Sequence, residues 1–210
     1  MNDDILRDLV LSETLERQLR LLEKHPEKFP MFLVFHAEPG VGKTTVATRL
    51  ADKLASDVTY LPVNESGVSK DFLEEEVKQR LHSVSLDDFV ENDCSKRYSR
   101  IFIIDEFHNV AKSQQDKFKT IYDLQIPDVK FIFVLNTDFK KKKFLHHVLT
   151  PPMISRCKSF NFDVSENEKD QLLDRAEKVF PHLDRQTLSR LFPDYRSIAQ
   201  ENELASLFVA

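Results

Sequence analysis

Met31-Phe32-Leu33-Val34-Phe35-His36-Ala37-Glu38-Pro39-Gly40-Val41-Gly42-Lys43-Thr44-Thr45 decides the fold. Met31 to Phe35 is a short apolar run rich in aromatic residues, as a buried strand requires, and the segment after Thr45 places Val46, Ala47, Leu50, Ala51 and Leu54 on one helical face. Strand, loop and helix in that order describe a phosphate-binding loop. The chain has only three glycines, and Gly40 and Gly42 both fall in this loop, where backbone N–H groups must crowd around phosphate oxygens with no Cβ in the way. Lys43 would reach the β- and γ-phosphates, Thr44 would place its hydroxyl on Mg2+, and the start of the helix would add its partial positive charge. The candidate nucleotide-binding set is therefore Glu38, Pro39, Gly40, Val41, Gly42, Lys43, Thr44 and Thr45. Ala37 stands where the usual pattern has its first glycine, which the looser form of the motif allows. The bland alternative is a chance Gly-Lys-Thr turn.

Composition is that of an ordinary globular chain. At 210 residues there is room for one medium domain, or a core with a small appendage. No stretch approaches 18 consecutive apolar residues, and Met1-Asn2-Asp3-Asp4 lacks the basic start of a signal peptide, so a cytoplasmic protein with no membrane partner is expected. Cys94 and Cys157 are too few and too far apart for a disulfide framework or a zinc site. A net charge of −5 argues against a protein coated in positive charge for wrapping nucleic acid. It leaves open a subunit that adds a few phosphate contacts to the inside of a ring.

The rest of the chain alternates helix and strand. A helix is predicted over Ile5 to Glu23, then strands at Met31 to Phe35, Val58 to Val63, Ile101 to Ile104, Val129 to Leu135 and Ser159 to Phe162. Charged helices are expected over Ser69 to Leu81 and Ser113 to Leu124, a polar surface connection over Ser83 to Arg100, and a basic helical patch over Lys140 to His147. That alternation implies an α/β fold, a three-layer αβα core with a five-stranded parallel sheet. From Ser165 the pattern turns all-helical: Ser165 and Glu168 read as a capping box, a helix runs from Asp184 to Leu191, and Asp194 can cap a last helix bearing Ile198, Ala199, Leu204 and Leu207. The expected division is a nucleotide-binding core over 1–162 and a small helical lid over 163–210.

Ile101-Phe102-Ile103-Ile104 ends in Asp105-Glu106, at the end of a strand where open sheets place their ligand crevice. Asp105 would hold Mg2+, directly or through water, and Glu106, pointing to the other face, would polarise the water that attacks the γ-phosphate. An acidic pair in this place can also be a plain helix cap. Asp105-Glu106-Phe107-His108 has the form of the acid motif of nucleic-acid helicases, which need two such domains.

Four further stretches follow in order. Val63-Asn64-Glu65-Ser66 comes after strand two, Leu135-Asn136-Thr137 closes strand four, Ser155-Arg156-Cys157 precedes strand five, and Pro193-Asp194-Tyr195-Arg196 opens the last helix. With the phosphate loop and the acidic pair they resemble an AAA+ ATPase of the clamp-loader type, similar in form to the small clamp-loader subunits of tailed phages. The resemblance covers nearly all of residues 9 to 205. It implies that Asn136 is the sensor 1 residue that positions the attacking water, that Arg156 completes the ATP site of a neighbouring subunit, that Arg196 is the sensor 2 arginine of the lid, and that a DNA-facing helix opens near Asn64. A cation in the first turn of a helix opposes the helix dipole unless an anion is near, which fits Arg196 beside phosphate.

Three departures stand out. The Lys-Tyr-Arg-Pro motif of these loaders is missing, so Leu9 and Val10 are the candidates for the adenine side. Extra residues between Asn136 and Arg156 hold Lys140, Lys141, Lys142 and Lys143, read as a solvated face in preference to a DNA or partner contact. The helical collar of the family has no counterpart before Ala210, so a truncated form, a short relative or another mode of assembly is expected. The resemblance implies an ATP-hydrolysing subunit that works in DNA replication, in the host cytoplasm if phage-encoded, with ATP and Mg2+ as cofactors. Its partners would be other AAA+ subunits in a ring or spiral, a sliding clamp and primed DNA. A helicase loader or transposition-type regulator forming spirals on DNA is the alternative, and a nucleotide-bound scaffold without turnover is a third.

Overall fold

The computed structural model describes residues 4–6, 8–63, 77, 97–137 and 144–207. The segment Asn64 to Gly67, nearly all of the helix expected over 69–81, the connection over 83–96 and the lysine run 140–143 lie outside the described residues. Five strands, β1 (Phe32–Ala37), β2 (Ala55–Pro62), β3 (Tyr98–Asp105), β4 (Val129–Asn136) and β5 (Cys157–Asn161), form one parallel sheet in the order β2-β3-β4-β1-β5. The three central strands have apolar side chains on both faces, because successive residues of a strand point to opposite sides. Leu33, Phe35, Ile101, Ile103, Ile132 and Val134 enter one core, and Phe32, Val34, Phe102, Ile104, Phe131 and Phe133 the other.

Helices α1 (Glu13–Lys24) and α2 (Lys43–Leu54) cover the first face, joined there by α7 (Lys169–Val179), α8 (Arg185–Leu191) and α9 (Tyr195–Ser206) through Leu172, Leu173, Ala176, Leu188 and Ile198. The second face is covered by α3 (Lys112–Gln115), α4 (Phe118–Asp123), α5 (Leu145–Val148) and α6 (Pro151–Arg156). Its centre is aromatic: Phe32 meets Phe118, Phe131 and Phe133 edge-on at 6.2, 5.4 and 5.3 Å. Edge-to-face pairs add about 1 kcal/mol each beyond area burial. No helix among the described residues is long and apolar enough to cross a membrane.

Several elements depart from their sequence reading. The helix expected from Ile5 begins only at Glu13, because Ser12 caps it by accepting the Leu15 N–H, and the residues before it form a strap whose Ile5, Leu6, Val10 and Leu11 are buried. Arg20 ties the strap down through Asp4 at 3.2 and 3.3 Å, and Arg175 of α7 donates to Leu11 O at 2.8 Å. The helix expected over Ser113 to Leu124 is two short pieces. Gln115, Phe118 and Ile121 are buried at every third residue, a 3-10 spacing, and the junction is tightened by bonds three residues apart. Residues 98–100, read as surface connection, belong to β3. Ser165 and Glu168 meet side chain to side chain instead of capping α7. Leu204 and Leu207 are exposed.

Candidate active site

All strands run the same way, so the turns leaving β1, β4 and β3 emerge side by side at one edge of the sheet. That edge is where parallel α/β sheets bind ligands. The turn after β1 is the phosphate loop. Gly40 and Gly42 adopt φ of +85° and +86°, the left-handed region that side chains resist, and Gly42 directly precedes the first turn of α2. Ala37 is the last residue of β1, in extended backbone that any residue adopts, so glycine is not needed there.

Lys43 is 5% exposed, and its ammonium donates to Glu38 O at 2.6 Å and Ala37 O at 3.2 Å. Burial pulls its pKa down to about 8, partly offset by Asp163, Glu106 and Asp105. The Thr44 hydroxyl donates to Asp105 Oδ2 at 3.0 Å, the Tyr60 hydroxyl donates to the same oxygen at 2.6 Å, and Asp105 Oδ1 accepts the Glu106 N–H at 2.8 Å. A hydroxyl and a carboxylate side by side are the hard oxygen donors that Mg2+ takes alongside phosphate. Thr44 and Asp105 therefore fit that ion.

Glu106 does not turn to the far face. The chain leaves β3 with Glu106 at φ +56°, and both acidic residues line the same cleft. Asn136 Nδ2 donates to both Glu106 carboxylate oxygens at 3.3 and 3.0 Å, and His108 Nε2 lies 3.1 Å from Oε2. Burial, then the Asp105 charge, pushes the Glu106 pKa up, as suits a proton acceptor.

The third wall is helical. Asp194 caps α9, accepting the Arg196 and Ser197 N–H groups at 3.1 and 3.3 Å, while the Tyr195 N–H donates to Gly40 O at 3.0 Å. The cleft so enclosed has a volume of about 420 Å³, within the range of small-molecule sites. Lys43, Thr44, Asp105, Glu106, Asn136 and Arg196 line it, and Leu9, Phe180, Tyr195 and Ala199 give it apolar surface. Pro39, Gly40, Gly42 and Thr45 also border it. Val10 and Val41, each 1% exposed, are packed in the core, so of the two strap residues assigned to the adenine side only Leu9 faces the cleft. Glu38 borders a neighbouring depression and gives its N–H to Asp163 Oδ1 at 2.9 Å. Arg156, at the end of α6, is also outside the cleft: it donates to Pro152 O at 3.1 Å, lies 3.6 Å from Asp123 Oδ1 and covers the Tyr122 ring. Sequence reading gave no role to Tyr60, His108 or Phe180. Tyr60 could have been found by register, since Pro62 pairs with Asp105 and Tyr60 shares its side of the strand.

The sequence profile described as AAA domain matches residues 28–142. The chain belongs to this family. Its fold is the AAA+ P-loop NTPase fold, and the matched AAA domain contains the phosphate loop, β3 with Asp105 and Glu106, and β4 with Asn136. Among solved structures, the Thermotoga maritima RuvB Holliday junction branch migration motor is similar at 20% identity and a TM-score of 0.45, over 82% of this chain and 52% of that one. The chain spans about half the length of that motor. No curated protein matches it.

Proposed function

We propose that this AAA domain protein hydrolyses ATP as a subunit of a clamp-loader-type ring that acts on a sliding clamp and primed DNA. The observation behind the reading is a division of labour. Lys43, Thr44, Asp105, Glu106, Asn136 and Arg196 share one cleft, whereas Arg156 of the Ser155-Arg156-Cys157 motif lies outside it, and would have to leave Pro152 O, Asp123 and the Tyr122 ring to enter a neighbour's cleft. In this reading 1–162 is the nucleotide-binding core and 163–210 the lid.

Lys43 and Arg196 would hold the phosphates together with the loop amides, and Thr44 and Asp105 would hold Mg2+. The ion's contribution is to neutralise phosphate charge. Glu106 would orient a water and accept its proton, and Asn136 would keep Glu106 and that water in register. An arginine arriving from a neighbour stabilises the transition state only once subunits are assembled, which couples turnover to assembly.

Mixing two inactive variants tests the reading. Glu106→Gln should bind ATP and lose most turnover, and Arg156→Ala should be a poor ATPase as well. Together they should recover part of the activity at interfaces that join an intact arginine to an intact glutamate. Mixtures that never exceed the sum of the parents, while native mass spectrometry detects mixed oligomers, rule out Arg156 acting in trans. Stimulation by primed DNA alone, with no response to a clamp, would favour the spiral-forming helicase loader.

A further inference from the structure

We propose that His108 is the positioning residue of Glu106, a fixed donor that keeps the carboxylate in place when Asn136 turns to the nucleotide. The inference rests on reading Glu106 as the base of ATP hydrolysis. Phe107 is fully buried in the aromatic core and anchors a 3-10 turn, Phe107–Asn109, which folds His108 back over Glu106. The β3–β4 ladder ends at Ile104 and Phe133, and beyond it the Asn136 N–H donates to His108 Nδ1 at 3.3 Å.

That bond decides the chemistry of the ring. A backbone N–H can only donate, so Nδ1 is the acceptor and the neutral imidazole has its proton on Nε2. Nε2 lies 3.1 Å from Glu106 Oε2 and therefore donates to it. The imidazole is 13% exposed, so the donor is shielded from competition by water.

The two holders of Glu106 differ in how firmly they are fixed. Asn136 Nδ2 sits on a rotatable amide beside the phosphate loop, and the same atom would serve a γ-phosphate oxygen. His108 is pinned at both ring nitrogens. Glu106 itself stands at φ +56°, a conformation that a residue with a Cβ keeps only when its surroundings hold it.

Three substitutions separate positioning from packing. His108→Phe keeps ring volume and loses both nitrogens, His108→Asn keeps an acceptor for the Asn136 N–H but cannot reach Glu106, and His108→Gln restores a donor at the Nε2 position. ATPase kinetics and titration with a non-hydrolysable ATP analogue would be measured on each, alone and combined with Glu106→Gln. The expected result is a kcat about 10- to 100-fold lower for His108→Phe and His108→Asn, the cost of a displaced reacting group. Analogue affinity should stay within about two-fold, and His108→Gln should recover most of the rate. In the Glu106→Gln background His108→Phe should change the residual rate by less than about two-fold, because the group it positions is gone. Wild-type kcat in His108→Asn beside an inactive Glu106→Gln overturns the inference alone. An equal loss with and without Glu106 overturns it too, and full turnover by Glu106→Gln overturns the base reading beneath it. If His108→Phe does not fold, the Asn and Gln pair decides.

Discussion

Replacing Gly40 by alanine should release the α9 end of the cleft from the phosphate loop. The new Cβ would land on the Asp194 carboxylate, 2.7 Å from Cγ. Asp194 cannot swing aside freely, because its two oxygens accept the Arg196 and Ser197 N–H groups and the Ser197 hydroxyl. Three costs follow. Holding a residue with a Cβ at φ +85° costs about 1–2 kcal/mol, losing the Asp194 cap about 1 kcal/mol, and losing the Tyr195 N–H bond to Gly40 O about 1 kcal/mol. Gly42→Ala is the internal control: its φ is +86°, but its Cβ meets only Leu9 Cδ2 at 3.3 Å, the end of a flexible side chain. It should bear the backbone cost alone, about 1–2 kcal/mol. Urea unfolding should therefore place Gly40→Ala about 2 kcal/mol below Gly42→Ala, and in an Asp194→Ala background the difference should vanish. Equal losses for the two alanines in the wild-type background would refute a clasp between Asp194 and the phosphate loop.

Two pH effects can be checked with the same protein. Lys43 has its pKa lowered to about 8, so in the empty cleft it loses its proton well below 10.5, and phosphate, by restoring an anion beside it, should make nucleotide binding take up as much as about one proton near pH 9. Calorimetry in buffers of different ionisation enthalpy measures this, and an enthalpy independent of buffer would contradict it. His36 is held neutral, its pKa pulled from 6.5 to about 4 by burial and then by Lys43. The stability tied to that neutral ring is full above about pH 6.5 and is lost as pH falls through about 4, a swing of about 3 kcal/mol. His36→Phe should remove that part of the acid sensitivity, and an unchanged difference in unfolding free energy between pH 7 and pH 4 would show that His36 is not its source.

The sheet and the phosphate end of the cleft were legible because each rests on a local signal. Apolar runs ending in Asp105-Glu106 or Asn136, and two of three glycines placed just before a lysine, need no tertiary context. What was misread depends on partners distant in sequence. The strap over 4–11 has the apolar spacing of a helix, yet Ser12 starts the helix later and Arg20 and Arg175 hold the strap down. Val10 looked equivalent to Leu9 until burial separated them. Strand alternation places Glu106 on the far face, a rule that lapses where φ turns positive. His108 is plain in the Asp105-Glu106-Phe107-His108 stretch, but the Asn136 N–H that meets its ring lies far along the chain.

The strand order also governs when the site can come into being. Among the described residues β2 pairs only with β3, whereas β1 finds its neighbours, β4 and β5, beyond residue 128. A chain emerging from synthesis can join β2 to β3 while β1, buried on both faces in the end, has no partner on either edge. Pairings of such long sequence separation form slowly and leave an apolar strand open to wrong contacts in the meantime. Until β4 slides between β3 and β1, the loop with Lys43 and the turn with Asp105 belong to separate pieces of structure. The cleft that Lys43, Asp105 and Asn136 share therefore exists only once β4 is in place, so its assembly waits on long-range pairings of the sheet.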